Sequence, residues 1–169
     1  MATHSVTASA LKRASGSSWT SGAARQGVYS DVRYEGAIEF ADLASFDMSN
    51  INITQIKMRV TFAKSGGASR KNLTFYKSAK ASISGSISSM RGSSIGALSV
   101  EEAYNRTVDL YFNSSTNSGL FTTFRDYFMA GNKILIIYVP TTRGTYDGGY
   151  CYDYLGISAL TMTFTFDYL

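Results

Sequence analysis

The clearest periodicity lies in residues 51–62, where Ile56, Met58, Val60 and Phe62 alternate with Gln55, Lys57, Arg59 and Thr61. A period of two sends successive side chains to opposite faces of a strand, so the first set faces a core and the second faces solvent. Val108, Leu110 and Phe112 alternate with Asp109 and Tyr111 in the same way, and Leu160, Met162, Phe164 and Phe166 alternate with Thr161, Thr163 and Thr165. Three half-buried antiparallel strands are therefore the minimum. Residues 133–139 are instead apolar on both faces, the pattern of a central strand covered on both sides, and Pro140 ends it because proline cannot donate to a ladder. Residues 36–40 and 73–76 read as shorter strands; in 5–10 and 82–88 small residues dilute the strand signal. Together these segments predict a β-sandwich.

One segment breaks this pattern. Leu120, Phe121, Phe124, Tyr127 and Phe128 gather on one side of a helix, which predicts a short amphipathic helix over residues 119–130, capped by Ser118 and ended by Gly131 in a left-handed conformation. Its aromatic stripe reads as core packing, since a nucleotide or flavin site would also need phosphate-binding glycines on a strand-to-helix turn. Ser99, Val100, Glu101 and Glu102 have the form of a capping box and predict one more helical turn. The glycine-rich stretches 16–27, 65–69, 92–96 and 144–149 read as surface loops, and none is followed by Gly-Lys-Ser or Gly-Lys-Thr. Trp19 lies in the first of them, either tucked against the sandwich or used as an assembly contact.

A length of 169 residues, 44% of them hydrophobic and 14% aromatic, suffices for one domain with a substantial core. The expected division is an N-terminal strand and glycine/serine-rich arm over residues 1–27, part of the sandwich or anchoring it, and the sandwich itself over residues 28–169. The chain has one histidine, His4, and one cysteine, Cys151. No internal disulfide can form, and a His/Cys zinc site is not available. A Ser-His-Asp or Cys-His mechanism would have to use His4, read here as a solvated terminal side chain, while Cys151 reads as a small buried hydrophobe; no enzyme is expected. No N-terminal apolar run has the length of a signal-peptide core, and no apolar run approaches a membrane span, so the expectation is synthesis in a cytoplasm without a secretory route. The sequons at Asn52, Asn72, Asn105 and Asn113 are what chance produces in a Ser/Thr-rich chain.

The net charge of +4 raises nucleic acid as a partner. The basic residues are dispersed, however; the one loose cluster is Arg70, Lys71, Lys77, Lys80 and Arg91, and paired stacking aromatics of RNA-binding sheets are missing, so no specific nucleic acid is expected. Tyr146, Tyr150, Tyr152 and Tyr154 recur at even spacing beside Asp147 and Asp153. On an extended segment the four rings share a face and could stack on sugar rings, with the two carboxylates accepting hydroxyl hydrogen bonds or helping to hold calcium. The competing reading, and the favoured one, has two or more of these rings packed inward.

An early small-residue strand, a glycine-rich loop, the stretch Ala37-Ile-Glu-Phe-Ala-Asp-Leu43 and then Ile56-Lys-Met-Arg-Val-Thr-Phe62 resemble the opening of a DNRLRE-type jelly-roll domain, in which a strand ending in Phe-Asp-Leu precedes a turn and an alternating strand. Residues 107–113, 133–139 and 159–166 resemble the strand before the family's short helix, the strand after it and the closing strand. The resemblance spans nearly the whole chain. It implies an antiparallel jelly-roll β-sandwich of about eight strands with one short amphipathic helix, similar in shape to carbohydrate-binding modules. Such domains occur on bacterial surface proteins and as head, tail and baseplate appendages of tailed phages. The jelly roll is expected to be the complete product, made in a cytoplasm, and that expectation fits the second setting. The expectation is a bacteriophage virion structural protein, a capsid or tail/baseplate appendage or decoration, assembled in the host cytoplasm with other virion proteins and as a homo-oligomer. The alternative is a carbohydrate-binding or receptor-binding module that uses exposed tyrosines on a cell-surface glycan.

Overall fold

The computed structural model describes residues 1–29, 32–66, 70–101, 106–138, 146–147 and 150–169; the side chains of residues 26, 28–29, 64–66, 70–71, 101, 138, 146–147 and 150–153 lie outside that description. One sheet runs in the order β4 (Ala24–Tyr29), β12 (Tyr150–Tyr168), β6 (Ile51–Gly66), β9 (Thr107–Asn113). The other runs β5 (Val32–Glu39), β10 (Ile134–Tyr138), β7 (Arg70–Ser78), β8 (Arg91–Glu101). All pairings are antiparallel, and β4 also pairs with β5, so the two sheets join at one corner. This strand order, two interleaved Greek keys, is that of a jelly roll.

Four further strands extend the eight. β1 (Ala2–Thr7) lies along β12, β2 (Ala10–Ser15) along β5, β3 (Ser18–Ser21) along β2, and the two-residue β11 (Tyr146–Asp147) opposes the start of β12. Residues 16–27 are therefore no loop but a tight hairpin, turning at Gly16 with φ of +84°, followed by β4. Small residues conceal these strands from a hydrophobicity reading because main-chain ladders hold them, while Val6, Ala14 and Ala24 fill narrow gaps at 2% exposure or less. Residues 92–96 likewise belong to β8, as do Ser99, Val100 and Glu101, which pair with Asn72, Lys71 and Arg70; no helical turn starts at Ser99.

The ladder between β6 and β12 carries three register shifts, two of which set the core. Ser158 is an extra residue in β12, lying between the pairs Ile157↔Phe62 and Ala159↔Thr61. It reverses the core-facing parity from Leu155 and Ile157 to Leu160, Met162, Phe164 and Phe166. Thr54 does the same in β6, where Ile51 and Ile53 precede it in the core and Ile56, Met58, Val60 and Phe62 follow. Each bulge residue donates its hydroxyl to a carbonyl of the facing strand: Ser158 Oγ to Thr61 at 3.2 Å, Thr54 Oγ1 to Thr165 at 3.2 Å.

Helix α2 (Ser118–Met129) connects β9 to β10 and inserts Phe124 and Phe128 between the sheets. Phe124 meets Phe75 and Phe112 edge-on, each at 5.1 Å between centroids, and Phe128 meets Phe164 at 5.9 Å. The helix begins one residue earlier than a Ser118 cap requires. Asn117 is the N-cap, in the left-handed region with φ of 50°, and its amide donates to the Tyr111 carbonyl at 2.9 Å. Gly131, with φ of +90°, closes the C-terminus as the sequence predicts, its N–H donating to Phe128 O. Tyr127 locks the helix to the second sheet, donating to Ile134 O and accepting from Ser78 N. At the other end of α2, Leu120 packs over Gly96, where a Cβ would lie 2.5 Å from Leu120 Cδ2.

β10 is buried on both faces, with Ile134, Leu135, Ile136 and Ile137 all at 1% exposure or less. Leu135 and Ile137 face the inter-sheet core. Ile134 and Ile136 join Ala37 and Met90 in a second cluster on the outer side, packed by Trp19, Tyr76 and Ile83. Residues 82–88 form no strand; they cross this outer face and end in the one-turn helix α1 (Ile87–Met90), capped by Ser86 Oγ accepting from Ser89 N at 3.2 Å.

Two outcomes follow in denaturation experiments. Phe164→Ala should lose about 3–5 kcal/mol of unfolding free energy and Thr163→Ala, on the outer face of the same strand, less than about 1. Deleting Ser158 should abolish cooperative unfolding, because Leu155 and Ile157 would turn outward, whereas Ser158→Ala keeps the bulge and should cost about 1 kcal/mol; equal effects would show that parity is not set there.

Candidate functional site

Three surfaces hold the residues of interest. At the start of β12, Asp147 pairs with Tyr150, Tyr146 with Cys151, Tyr152 with Tyr29 and Asp153 with Val28. The side chains of Tyr146, Asp147, Tyr150, Cys151, Tyr152 and Asp153 lie outside the described residues. Tyr154 is 3% exposed, and its ring is already engaged: the Arg25 guanidinium lies 5.4 Å from its centroid and 5.6 Å from that of Tyr34. Gly27, opposite both Tyr154 and Tyr34, and Gly156, opposite Arg25, leave room for this arrangement. A sugar ring has no open face on Tyr154. Among the described residues no group of three or more His, Cys, Asp or Glu side chains could hold a metal ion.

The second surface is the outer side of the β5–β10–β7–β8 sheet. Trp19 is tucked there, half-buried on the second apolar cluster, with its Nε1 donating to Gly85 O at 3.1 Å. Beside it Glu35 is 5% exposed and accepts from Arg91 Nη1 at 2.8 Å through Oε1, while its Oε2 is buried without a hydrogen-bond partner. Burial pushes the Glu35 carboxyl above the ordinary carboxylate value, against the pull of Arg91 and then Arg33. Arg91 also lies over the Tyr76 ring, and Lys80 Nζ donates to Ser84 O at 3.3 Å, so these members of the loose basic cluster engage neighbours in the chain. The side chains of Arg70 and Lys71 lie outside the described residues.

The third surface is the outer side of the other sheet, widened by β1. Across its strands, hydroxyls pair at Ser5–Thr163 (2.8 Å), Thr7–Thr161 (3.3 Å) and Thr61–Thr107 (3.0 Å). Arg59 grips Asp109 with two bonds of 2.8 and 3.0 Å, and Asn113 Nδ2 donates to Gln55 Oε1 at 3.2 Å. The Arg59 hydrogen bond holds the Asp109 carboxyl below the usual carboxylate range. Between these pairs on β9 stands Tyr111, 42% exposed, opposite Lys57. The sequence marks Tyr111 as solvent-facing by alternation but gives no sign of its flanking pairs, which form across strands from residues about 50 positions apart.

A groove of about 630 Å³ runs between residues 43–49 and the end of α2, with Phe46, Met48, Phe128 and Met129 among its walls and Asp47 as its one charged side chain. His4 is not a solvated terminal side chain. It stacks on Phe46 at 3.9 Å with 10° between planes, since β1 carries it against the sandwich. Compared with protein-family models and with curated proteins, the chain matches none.

Glu35 yields a pH test. A raised carboxyl value means that the folded protein binds the proton more tightly than the unfolded chain, so stability falls as pH rises from about the ordinary 4.5 through the raised value. Glu35→Gln removes that slope. The melting temperature of the wild type relative to the variant should be higher near pH 4.5 than near pH 7.5; parallel melting curves across that range would refute the assignment.

Proposed function

We propose that this protein is a non-enzymatic structural component of a bacteriophage virion, a capsid or tail/baseplate appendage or decoration built on one jelly roll. The observation that carries the reading is the strand order itself: eight strands in two interleaved Greek keys, an arrangement that recurs in viral capsid and lectin domains. The N-terminal segment adds β1 to one sheet and β2 and β3 to the other, so that it is built into the sandwich and widens both sheets. The DNRLRE-type resemblance of the sequence points the same way. In this reading the partners are other virion proteins and further copies of the chain, related by closed symmetry and assembled in the host cytoplasm.

The test is composition. Particles purified from infected or induced host cells by density gradient should contain the chain at a fixed ratio to the major capsid or tail-tube protein, and particles made without its gene should lack an appendage seen by electron microscopy. Absence of the chain from intact particles refutes the proposal.

A further inference from the structure

β1 is an edge strand whose outward main-chain groups have no partner among the described residues. Its ladder with β12 runs without a shift from Ala2↔Phe166 to Thr7↔Thr161. Ala8 N donates to Leu160 O, which makes Thr7↔Thr161 a non-hydrogen-bonded pair and, by alternation, gives the bonds to β12 to Ala2, His4 and Val6. The N–H and C=O groups of Thr3, Ser5 and Thr7 therefore point away from the sheet, and no bond to them forms elsewhere among the described residues. The strand that presents them is already fixed. Val6 is buried in the core, His4 is stacked on Phe46, and the Ser5 and Thr7 hydroxyls pair with those of Thr163 and Thr161.

The other strand edges are guarded in the ways that keep sheets from pairing with one another. On β9, Asn117 Nδ2 donates to the outward Tyr111 O, and Thr116 O accepts from Asn113 N. β8 has Arg91 and Glu101 at its ends, register shifts against β7 and Leu120 packed over Gly96. β3 is only 4 residues long. β1 has no register shift, no proline and no Lys, Arg, Asp or Glu.

We propose that β1 pairs antiparallel with β1 of a second copy of the chain, across a two-fold axis at Ser5, joining two sandwiches through one continuous sheet. The strand is self-complementary in that register. Ser5 faces Ser5 of the second copy and Thr3 faces Thr7, each pair exchanging two main-chain bonds, while His4 faces Val6 in the intervening pairs. No like charges meet across the axis. Because β1 is already ordered, little conformational freedom is lost on pairing. A strand of a different protein could supply the same ladder, but the row Thr3, Ser5, Thr7 holds neither a charge nor a pocket with which to select one. The pairing gives the self-association of the proposed function a definite surface, yet it rests on the strand edge alone. A chain that pairs this way but is absent from particles refutes the virion reading and leaves this one standing.

The test is sedimentation equilibrium of the full untagged chain from about 10 μM to about 0.5 mM, a range that brackets micromolar association. The expected result is a passage from monomer to dimer. Ser5→Ala removes the hydroxyl but keeps the N–H and should dimerise like the wild type. Ser5→Pro removes only an outward N–H, a loss that an edge strand tolerates, and should weaken dimerisation at least about tenfold. Circular dichroism shows whether each variant keeps its fold. In the wild type, the amides of Thr3, Ser5 and Thr7 should exchange with solvent about tenfold more slowly at the highest concentration than at the lowest, with those of His4 and Val6 protected throughout. A chain that stays monomeric, leaving the edge to water or to a strand of another protein, overturns the proposal. So does a dimer kept by a folded Ser5→Pro variant, or one in which exchange at Thr3, Ser5 and Thr7 does not change.

Discussion

Which side chains fill the core is decided by two extra residues in the β6–β12 ladder. Without a bulge, a strand as long as β12 would keep one parity throughout, and either Leu155 and Ile157 or the set from Leu160 to Phe166 would face water. Ser158 lets both sets face inward, and Thr54 does the same for β6. A bulge leaves a ladder group without its usual partner, and burying such a group costs about 1–3 kcal/mol. Serine and threonine suit these positions because each supplies a hydroxyl that reaches the opposite carbonyl. The same parity change separates Tyr154 from the core: as a neighbour of Leu155 it falls on the opposite face, where Arg25 covers it.

With the sheets in register, the remaining requirement is to close the gap between them and to cover β10 from outside. α2 meets the first need with Phe124 and Phe128, which touch phenylalanines from both sheets. The second is met by the crossing at residues 79–90 and by Trp19, whose indole N–H is satisfied by Gly85 O. Glu35 sits at the margin of that cover. One oxygen is paired and the other is not, so the carboxylate is retained at a cost in burial that its ion pair only partly offsets.

Much of this fold was legible in the sequence because strong alternation survives translation into structure. Residues 56–62, 108–112 and 160–166 are strands with the expected faces inward, the double-sided run at 134–137 is the doubly covered strand, and the aromatic stripe at 120–128 is the helix. What failed to show was structure held mainly by main-chain bonding. β2, β3 and the glycine-bearing part of β8 have little hydrophobic periodicity and form because neighbouring strands offer ladders. Ser99-Val-Glu has a helix-start pattern, but its pairing with β7 outweighs that local preference. The surface around Tyr111 was illegible for a related reason: its partners come from β6, and no spacing in one strand reveals a neighbour in the next.

The two outer sheet faces are treated differently by the chain itself. The outer face of the β5–β10–β7–β8 sheet is covered by its own chain, with apolar side chains turned inward under Trp19 and residues 79–90, so its contribution is rigidity. The outer face that carries β1, β12, β6 and β9 is left uncovered among the described residues, yet it offers little apolar area to drive irreversible association. Cross-strand pairs such as Arg59–Asp109, Gln55–Asn113 and Ser5–Thr163 satisfy one another on that face, so these groups hold the strands together in water without a cover of apolar side chains.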